Sequence, residues 1–223
     1  MRITARALDA TITKQVRLRY LLALPDDAVA PPWPLLLFLH GSGERGTDLA
    51  RVSMYGVPKE LALGRRLPFV VVAPQCPART TWSAHLDALI ALLDHVQATH
   101  PIDAGRVTVT GLSMGGTGTW EIAVAHPDRF AALAPVCGSD AWCVGDASQL
   151  CVIRHVPVWA FHGARDDVIP PSASRRLVDA LRQCGGDAEL TLLPEQGHAC
   201  WEPVYATPEL YTWLHAQRNA RRV

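Results

Sequence analysis

Two hydrophobic periodicities alternate along this chain. Between Val16 and Leu24 the apolar side chains Val16, Leu18, Tyr20 and Leu22 fall on every second position, which predicts an antiparallel edge strand. Asp26–Pro34, rich in Asp, Ala and Pro, reads as a surface connection. Leu35–Leu39 is then an unbroken apolar run, and Phe69–Ala73 is another, closed by Pro74. Continuous runs of this length predict strands covered on both faces. Leu86, Leu89, Ile90, Leu93 and Val96 return instead at helical spacing and predict a helix ending before Pro101. Val107–Thr110 predicts a strand that runs into Gly111-Leu112-Ser113-Met114-Gly115, followed by a helix of small residues as far as His126. Phe130–Val136, Pro157–His162 and Ala188–Leu193 predict further strands. Ser172–Cys184, stopped by Gly185-Gly186, and Leu210–Gln217 predict further helices. Gly138–Arg154 has no clear period and reads as a connection or a short cap, too small for a substantial lid. Strands alternating with helices predict an α/β fold, a mostly parallel sheet with helices on both faces. No repeat, low-complexity tract or linker divides the chain, so residues 1–223 are expected to form one domain.

Composition narrows the picture by exclusion. The 49% hydrophobic and 19% charged residues are those of an ordinary globular protein. Lys plus Arg number 21, as do Asp plus Glu, so nothing selects nucleic acid or an anionic membrane as partner. Arg218, Arg221 and Arg222 read as a solvated helix tail. The first twenty residues lack the apolar stretch of about 7–15 residues that a signal peptide needs, and no run approaches the ~20 of a membrane span. A cytoplasmic location is therefore expected. Six cysteines, Cys76, Cys137, Cys143, Cys151, Cys184 and Cys200, form no C-x-x-C pair. They are expected to be reduced and mostly buried, and the one pairing that sequence proximity offers is among Cys137, Cys143 and Cys151. Oligomeric state is not legible.

The chemistry concentrates at strand ends. A strand that stops at Gly-x-Ser-x-Gly and continues as a helix is a nucleophile turn: no side chain fits beside the serine, and Ser113 is presented at a helix N-terminus. Such a serine needs a base, an orienting acid and an oxyanion hole. In the α/β-hydrolase arrangement they follow in the order Ser, Asp, His on loops after successive strands. The strand ending at His162 is followed by Gly163-Ala164-Arg165-Asp166-Asp167, and the strand ending at Leu193 by Pro194-Glu195-Gln196-Gly197-His198. Ser113, Asp166 and His198 fill the three places, with Asp167 the competitor for the acid. The loop His40–Gly46 after the first buried strand can aim a backbone N–H at a developing oxyanion, so the amides of Ser42 and Met114 are the expected donors. Gly43 in that loop, Trp82 and Trp201 are candidates for lining the substrate site, plain core packing being the alternative for both tryptophans. The same loop contains G-x-G-x-x-G, with Glu60 near the offset of a ribose-binding acid. That acid should end a second strand, whereas Lys59–Leu63 looks helical, so no nucleotide cofactor is expected. His40 and His162, each before a glycine, read as turn-stabilising. The nine histidines show no metal-ligand spacing, so no metal is expected.

The stretches LLLFLHGSGERGTD, VVAPQCP with Trp82, VTVTGLSMGGTGTWEIAVAHPDRFAALAPVCG, HGARDDVIP and GHACW resemble the dienelactone hydrolase-like and predicted-peptidase branch of the α/β-hydrolases. That branch includes bacterial carboxylesterases and lies close to feruloyl esterases and polyhydroxyalkanoate depolymerases. The likeness runs from about Leu35 to Trp201. It implies a serine carboxylesterase with triad Ser113, Asp166 and His198, oxyanion donors Ser42 and Met114, no cofactor, and a small-molecule ester as partner. The lack of a signal peptide or an extra N-terminal domain departs from many secreted relatives and puts polymeric substrates in doubt. A peptidase with the same triad and a non-catalytic binding protein of the same fold are the competing readings.

Overall fold

The computed structural model describes residues 3–10, 13–26, 28–143 and 147–222. Seven strands form one sheet: β1 (Tyr20–Ala23), β2 (Trp33–Leu39), β3 (Val70–Pro74), β4 (Ile102–Leu112), β5 (Ala132–Val136), β6 (Val158–Gly163) and β7 (Ala188–Leu193). Their order across the sheet is β1-β3-β2-β4-β5-β6-β7, and every neighbouring pair is parallel except β1 with β3. The predicted edge strand shrinks to its second half, since only Tyr20–Ala23 finds ladder partners, on Val71–Pro74.

β2 shows why the apolar runs have no alternation. Leu35, Leu37 and Leu39 point into the core on one face while Leu36 and Phe38 point into the other, and all five are fully buried. Each contributes about 2 kcal/mol by leaving water. The first face is covered by α2 (Leu86–Thr99), α3 (Met114–Ala125) and α4 (Ser172–Gln183), through Leu89, Leu93, Trp120, Ile122, Leu177 and Leu181. The second is covered by α1 (Gly56–Ala62), α5 (Trp201–Ala206) and α6 (Pro208–Ala216), through Val57, Val204, Tyr205, Leu210 and Leu214. α4 ends where Gly185 takes φ +77, so that Gly186 N–H reaches back to the Leu181 carbonyl at 3.0 Å.

Two expectations need correction. The segment read as a connection or a short cap forms 3-10 helices over Ala141–Cys143 and Ala147–Ile153, residues 144–146 lying outside the described ones. Leu150 and Ile153 sink into the core, so the second of these helices packs on α3 and α4 instead of roofing the serine. The cysteines are not all reduced either: Cys151 is bonded to Cys184, 33 residues on, and the bridge encloses β6, the following loop and α4. Cys76, Cys137 and Cys200 are buried free thiols, and Cys143 is buried as well. Spatial neighbourhood, not the sequence proximity of Cys137, Cys143 and Cys151, decides the pairing.

Candidate active site

Because β2, β4, β5, β6 and β7 are parallel, their C-terminal ends share one edge of the sheet, and the loops leaving that edge meet. β4 ends at Leu112 and α3 begins at Met114, so one residue must turn the chain. Ser113 does so with φ 53 and ψ −116, a backbone conformation costly for a residue with a side chain. A Cβ on Gly111 would lie 2.4 Å from the Gly115 carbonyl oxygen, and one on Gly115 only 1.9 Å from that of Leu39. The two glycines are thus required by contact with backbone. Ser113 N–H donates to Val136 O at 2.9 Å, tying the turn to β5. Met114 opens α3, so its amide is one of the first-turn donors with no partner inside the helix.

The structure brings the serine, the histidine and the first of the two aspartates into one hydrogen-bonded row. Ser113 Oγ lies 2.9 Å from His198 Nε2, and His198 Nδ1 lies 2.8 Å from Asp166 Oδ2. A carboxylate only accepts, so Nδ1 carries the proton and Nε2 turns a lone pair toward the serine hydroxyl. The Asp166 side chain is out of solvent and Asp167 is exposed. Asp166 Oδ1 accepts the amides of Val168 and Ile169, each at 2.9 Å. Burial pushes the Asp166 carboxyl up, but the hydrogen bond from His198 and the Ile169 and Val168 amides outweigh it and hold it below its ordinary value. The two loops that carry Asp166 and His198 are pressed together, for a Cβ on Gly163 would sit 2.1 Å from the Gly197 carbonyl oxygen.

The loop after β2 borders the same turn. A Cβ on Gly41 would come within 2.8 Å of the Leu112 side chain, so the Gly41 backbone rests on the residue before Ser113. Ser42 and Gly43 are exposed in a 3-10 turn, Ser42–Glu44. That turn is braced from below. Gln75 Nε2 donates to Glu44 O at 2.8 Å and to Asp48 O at 2.7 Å, and Gly46 N–H to Cys76 O at 3.0 Å. Arg45 spans it, with Nε on Ser42 O at 2.8 Å and Nη1 on Thr80 O at 3.1 Å. Buried His40 accepts Cys76 N–H on Nε2 at 2.9 Å and gives Nδ1–H to Gly41 O at 2.6 Å. Glu44 is buried beside it, and burial raises its carboxyl. Glu60 lies in α1 and pairs with Arg65, as a helical residue and not at the end of a second strand.

Of the residues expected to line the site, Trp82 is misassigned. It is fully buried, sits where a Cβ on Gly118 would meet its own Cβ at 2.7 Å, and donates Nε1–H to His40 O at 2.9 Å. Core packing wins there, and the ring serves as a strut between α3 and the loop after β2. Trp201 is partly exposed and stands edge-on to His198, ring centroids 5.5 Å apart, and to Tyr55 at 5.8 Å. Among the described residues nothing lies within 4 Å of where a Cβ on Gly43 would project. Among the described residues, one group of potential metal ligands clusters within 4.8 Å: Cys137, Asp166 and His198. Both histidine nitrogens and both carboxylate oxygens in it are already engaged. The brace residues Gln75 and Arg45 were not legible, because each works through a partner remote in sequence, and His162 was read only as turn-stabilising although Asp166 stands four residues on.

Sheet order and the helices on its two faces define the α/β-hydrolase fold. A model of the dienelactone hydrolase family matches residues 75–212. The chain belongs to that family, and with it to the carboxylic ester hydrolases. It is 30% identical over 211 residues to a poly(3-hydroxyoctanoate) depolymerase of Pseudomonas fluorescens, covering 82% of this chain and 74% of that one. A putative carboxymethylenebutenolidase of Salmonella typhimurium is 31% identical over 50% of this chain and 44% of its own. The crystal structure of a thermostable esterase superposes with a TM-score of 0.75 at 34% identity, over 90% of this chain and 59% of that one. The matches thus span from under half to about three quarters of these relatives' own lengths.

Proposed function

We propose that this chain is a serine esterase in which Ser113 attacks the carbonyl of a short acyl or small aromatic ester. His198 Nε2 takes the serine proton during attack and returns it to the departing alcohol, leaving an acyl-serine that water then clears by the same route. Asp166 keeps the imidazole in the Nδ1–H tautomer and steadies the imidazolium as it forms. The amides of Ser42 and Met114 receive the oxyanion, and losing one such donor costs about 3 kcal/mol of transition-state stabilisation. The observation that carries this reading is the unbroken row from Ser113 Oγ through His198 to Asp166, at 2.9 and 2.8 Å. Trp201, edge-on to His198, supplies a flat apolar wall for an acyl chain or aromatic ring. Among the described residues no helix is long and apolar enough to cross a membrane. A cytoplasmic location goes with the proposal, and the Cys151–Cys184 bridge, of a kind rare in reducing compartments, is the observation that weighs against it.

The test is hydrolysis of p-nitrophenyl esters from acetate to dodecanoate by wild type and Ser113→Ala, with an anilide of matched acyl group. Activity on the shorter esters that disappears in Ser113→Ala, with the anilide inert, is the expected result. Cleavage of the anilide at a comparable rate would replace the esterase reading with an amidase one. Full activity in Ser113→Ala would remove the nucleophile.

A further inference from the structure

The acid of the proposed triad has a second histidine on it. His162, the penultimate residue of β6, is fully buried, and its Nε2 lies 3.1 Å from Asp166 Oδ2 and 2.9 Å from the carbonyl oxygen of Ile169. Both neighbours are acceptors, so Nε2 carries a hydrogen. On the other side of the ring, Nδ1 lies 2.7 Å from Ser174 Oγ, in the first turn of α4, where the hydroxyl is also buried. With the ring hydrogen on Nε2, Nδ1 accepts and Ser174 donates. The row therefore runs from Ser174 O–H to His162 and from His162 Nε2–H to Asp166, meeting His198 Nδ1–H on the same oxygen.

We infer that His162, its tautomer locked by Ser174, is a positioning residue for the reaction: it holds Asp166 Oδ2 in the direction from which it orients His198. The inference rests on Ser113, His198 and Asp166 acting as proposed above. The geometry distinguishes the two carboxylate oxygens. Oδ1 is fixed by the Val168 and Ile169 amides of its own loop, a local turn that any such aspartate could make. Among the described residues Oδ2 accepts no backbone N–H, and without His162 its one partner there is the ring it must orient. A carboxylate held at one oxygen can rock about that anchor, and a small rotation at Asp166 is passed to the imidazole and to the approach of Nε2 to Ser113. His162 removes that freedom, and through Ile169 O it also closes the 166–169 loop from inside. The Cys151–Cys184 bridge spans the same segment, so His162, Asp166 and Ser174 lie within one covalently closed stretch of chain.

A structural role alone would lower stability and leave turnover per folded molecule unchanged. A positioning role lowers kcat with little change in KM, because orientation of the base matters only as the transition state forms. The experiment measures kcat, KM and thermal midpoint on the best p-nitrophenyl ester for wild type, His162→Leu, His162→Gln, Ser174→Ala and Ser113→Ala. His162→Leu should lose kcat by about tenfold or more, the effect of a lost hydrogen bond to a charged group, with KM within about twofold. His162→Gln puts an N–H near Nε2 and should recover kcat to within about threefold of wild type. Ser174→Ala should fall between them, and it decides the matter if His162→Leu does not fold. Wild-type kcat in folded His162→Leu or in Ser174→Ala, or a His162→Gln no better than His162→Leu, overturns the inference. Activity that survives in Ser113→Ala instead overturns the reading on which it rests.

Discussion

Lowering the pH from about 7 to about 4.5 should cost the protein about 2 kcal/mol of stability through His40 alone. The ring is 1% exposed and both nitrogens are committed, Nδ1–H to Gly41 O and Nε2 to Cys76 N–H. Burial, opposed by the bond to Gly41 and aided by the Arg45 charge, brings the imidazole from 6.5 down to about 4. Between those values the unfolded chain binds a proton that the folded one refuses. The His40 contribution is therefore complete above about pH 6.5, falls as the pH drops, and levels off near pH 4, where both states are protonated. Carried to that limit the loss is about 3 kcal/mol, and by pH 4.5 about 2 kcal/mol of it has gone. Two carboxyls add their own pH dependence: Glu44, raised by burial, gains stability as pH falls, whereas Asp166, lowered, loses it only below the ordinary carboxylate range, outside this window. The measurement is accordingly a difference. Urea unfolding of wild type and His40→Gln is followed at both pH values, since glutamine can accept Cys76 N–H and does not titrate. Wild type should lose about 2 kcal/mol more than the variant on acidification. Parallel losses, within about 0.5 kcal/mol, would refute the reasoning.

Three further outcomes follow from the same structure. Asp166→Asn should lower kcat by about four orders of magnitude by favouring the wrong imidazole tautomer, while exposed Asp167→Asn stays within about twofold; steady-state kinetics of the pair separate them. Opening the Cys151–Cys184 bridge by Cys151→Ser should cost about 4 kcal/mol for a closed loop of 33 residues, a fall of about 10 °C in thermal midpoint. An unchanged midpoint with and without reductant would mean the bridge is not formed in solution. Trp82→Ala should cost about 3–5 kcal/mol and also reduce kcat, since it removes both a buried ring and the donor to His40 O; a stability loss with normal kcat in the folded fraction would deny the strut its role in the site.

What the sequence discloses and what it hides divide along physical lines. β2 is found within two residues of its predicted start because continuous burial on both faces leaves an unbroken apolar run, and β7, half-buried at the sheet edge, is found at its predicted bounds. The turn at Ser113 is legible because Gly111 and Gly115 answer to backbone contacts so close that no other residue could stand there. Ser113, Asp166 and His198 were readable as candidates because each follows a readable strand. Short elements are harder: α5 spans only Trp201–Ala206, too few turns for a period to declare itself. Trp82 misled because a tryptophan near a site and a tryptophan in the core look alike in one dimension. The Cys151–Cys184 bond and the Ser174–His162–Asp166 row were invisible, since each depends on α4 folding back against β6, a juxtaposition no local pattern announces.

The proposed base sits on the loop after the outermost strand. β7 pairs only with β6, and among the described residues nothing continues the sheet beyond it. Edge strands open more readily than those flanked on two sides, and the histidine leaves its place when β7 frays even if β2, β4 and β5 stay zipped. Heat should therefore silence the enzyme before it melts the protein, with inactivation that reverses on cooling as long as the centre of the sheet has held. The disulfide sets how early that happens. By fastening α4, the helix that delivers the chain to β7, it stiffens the rim on which the site depends.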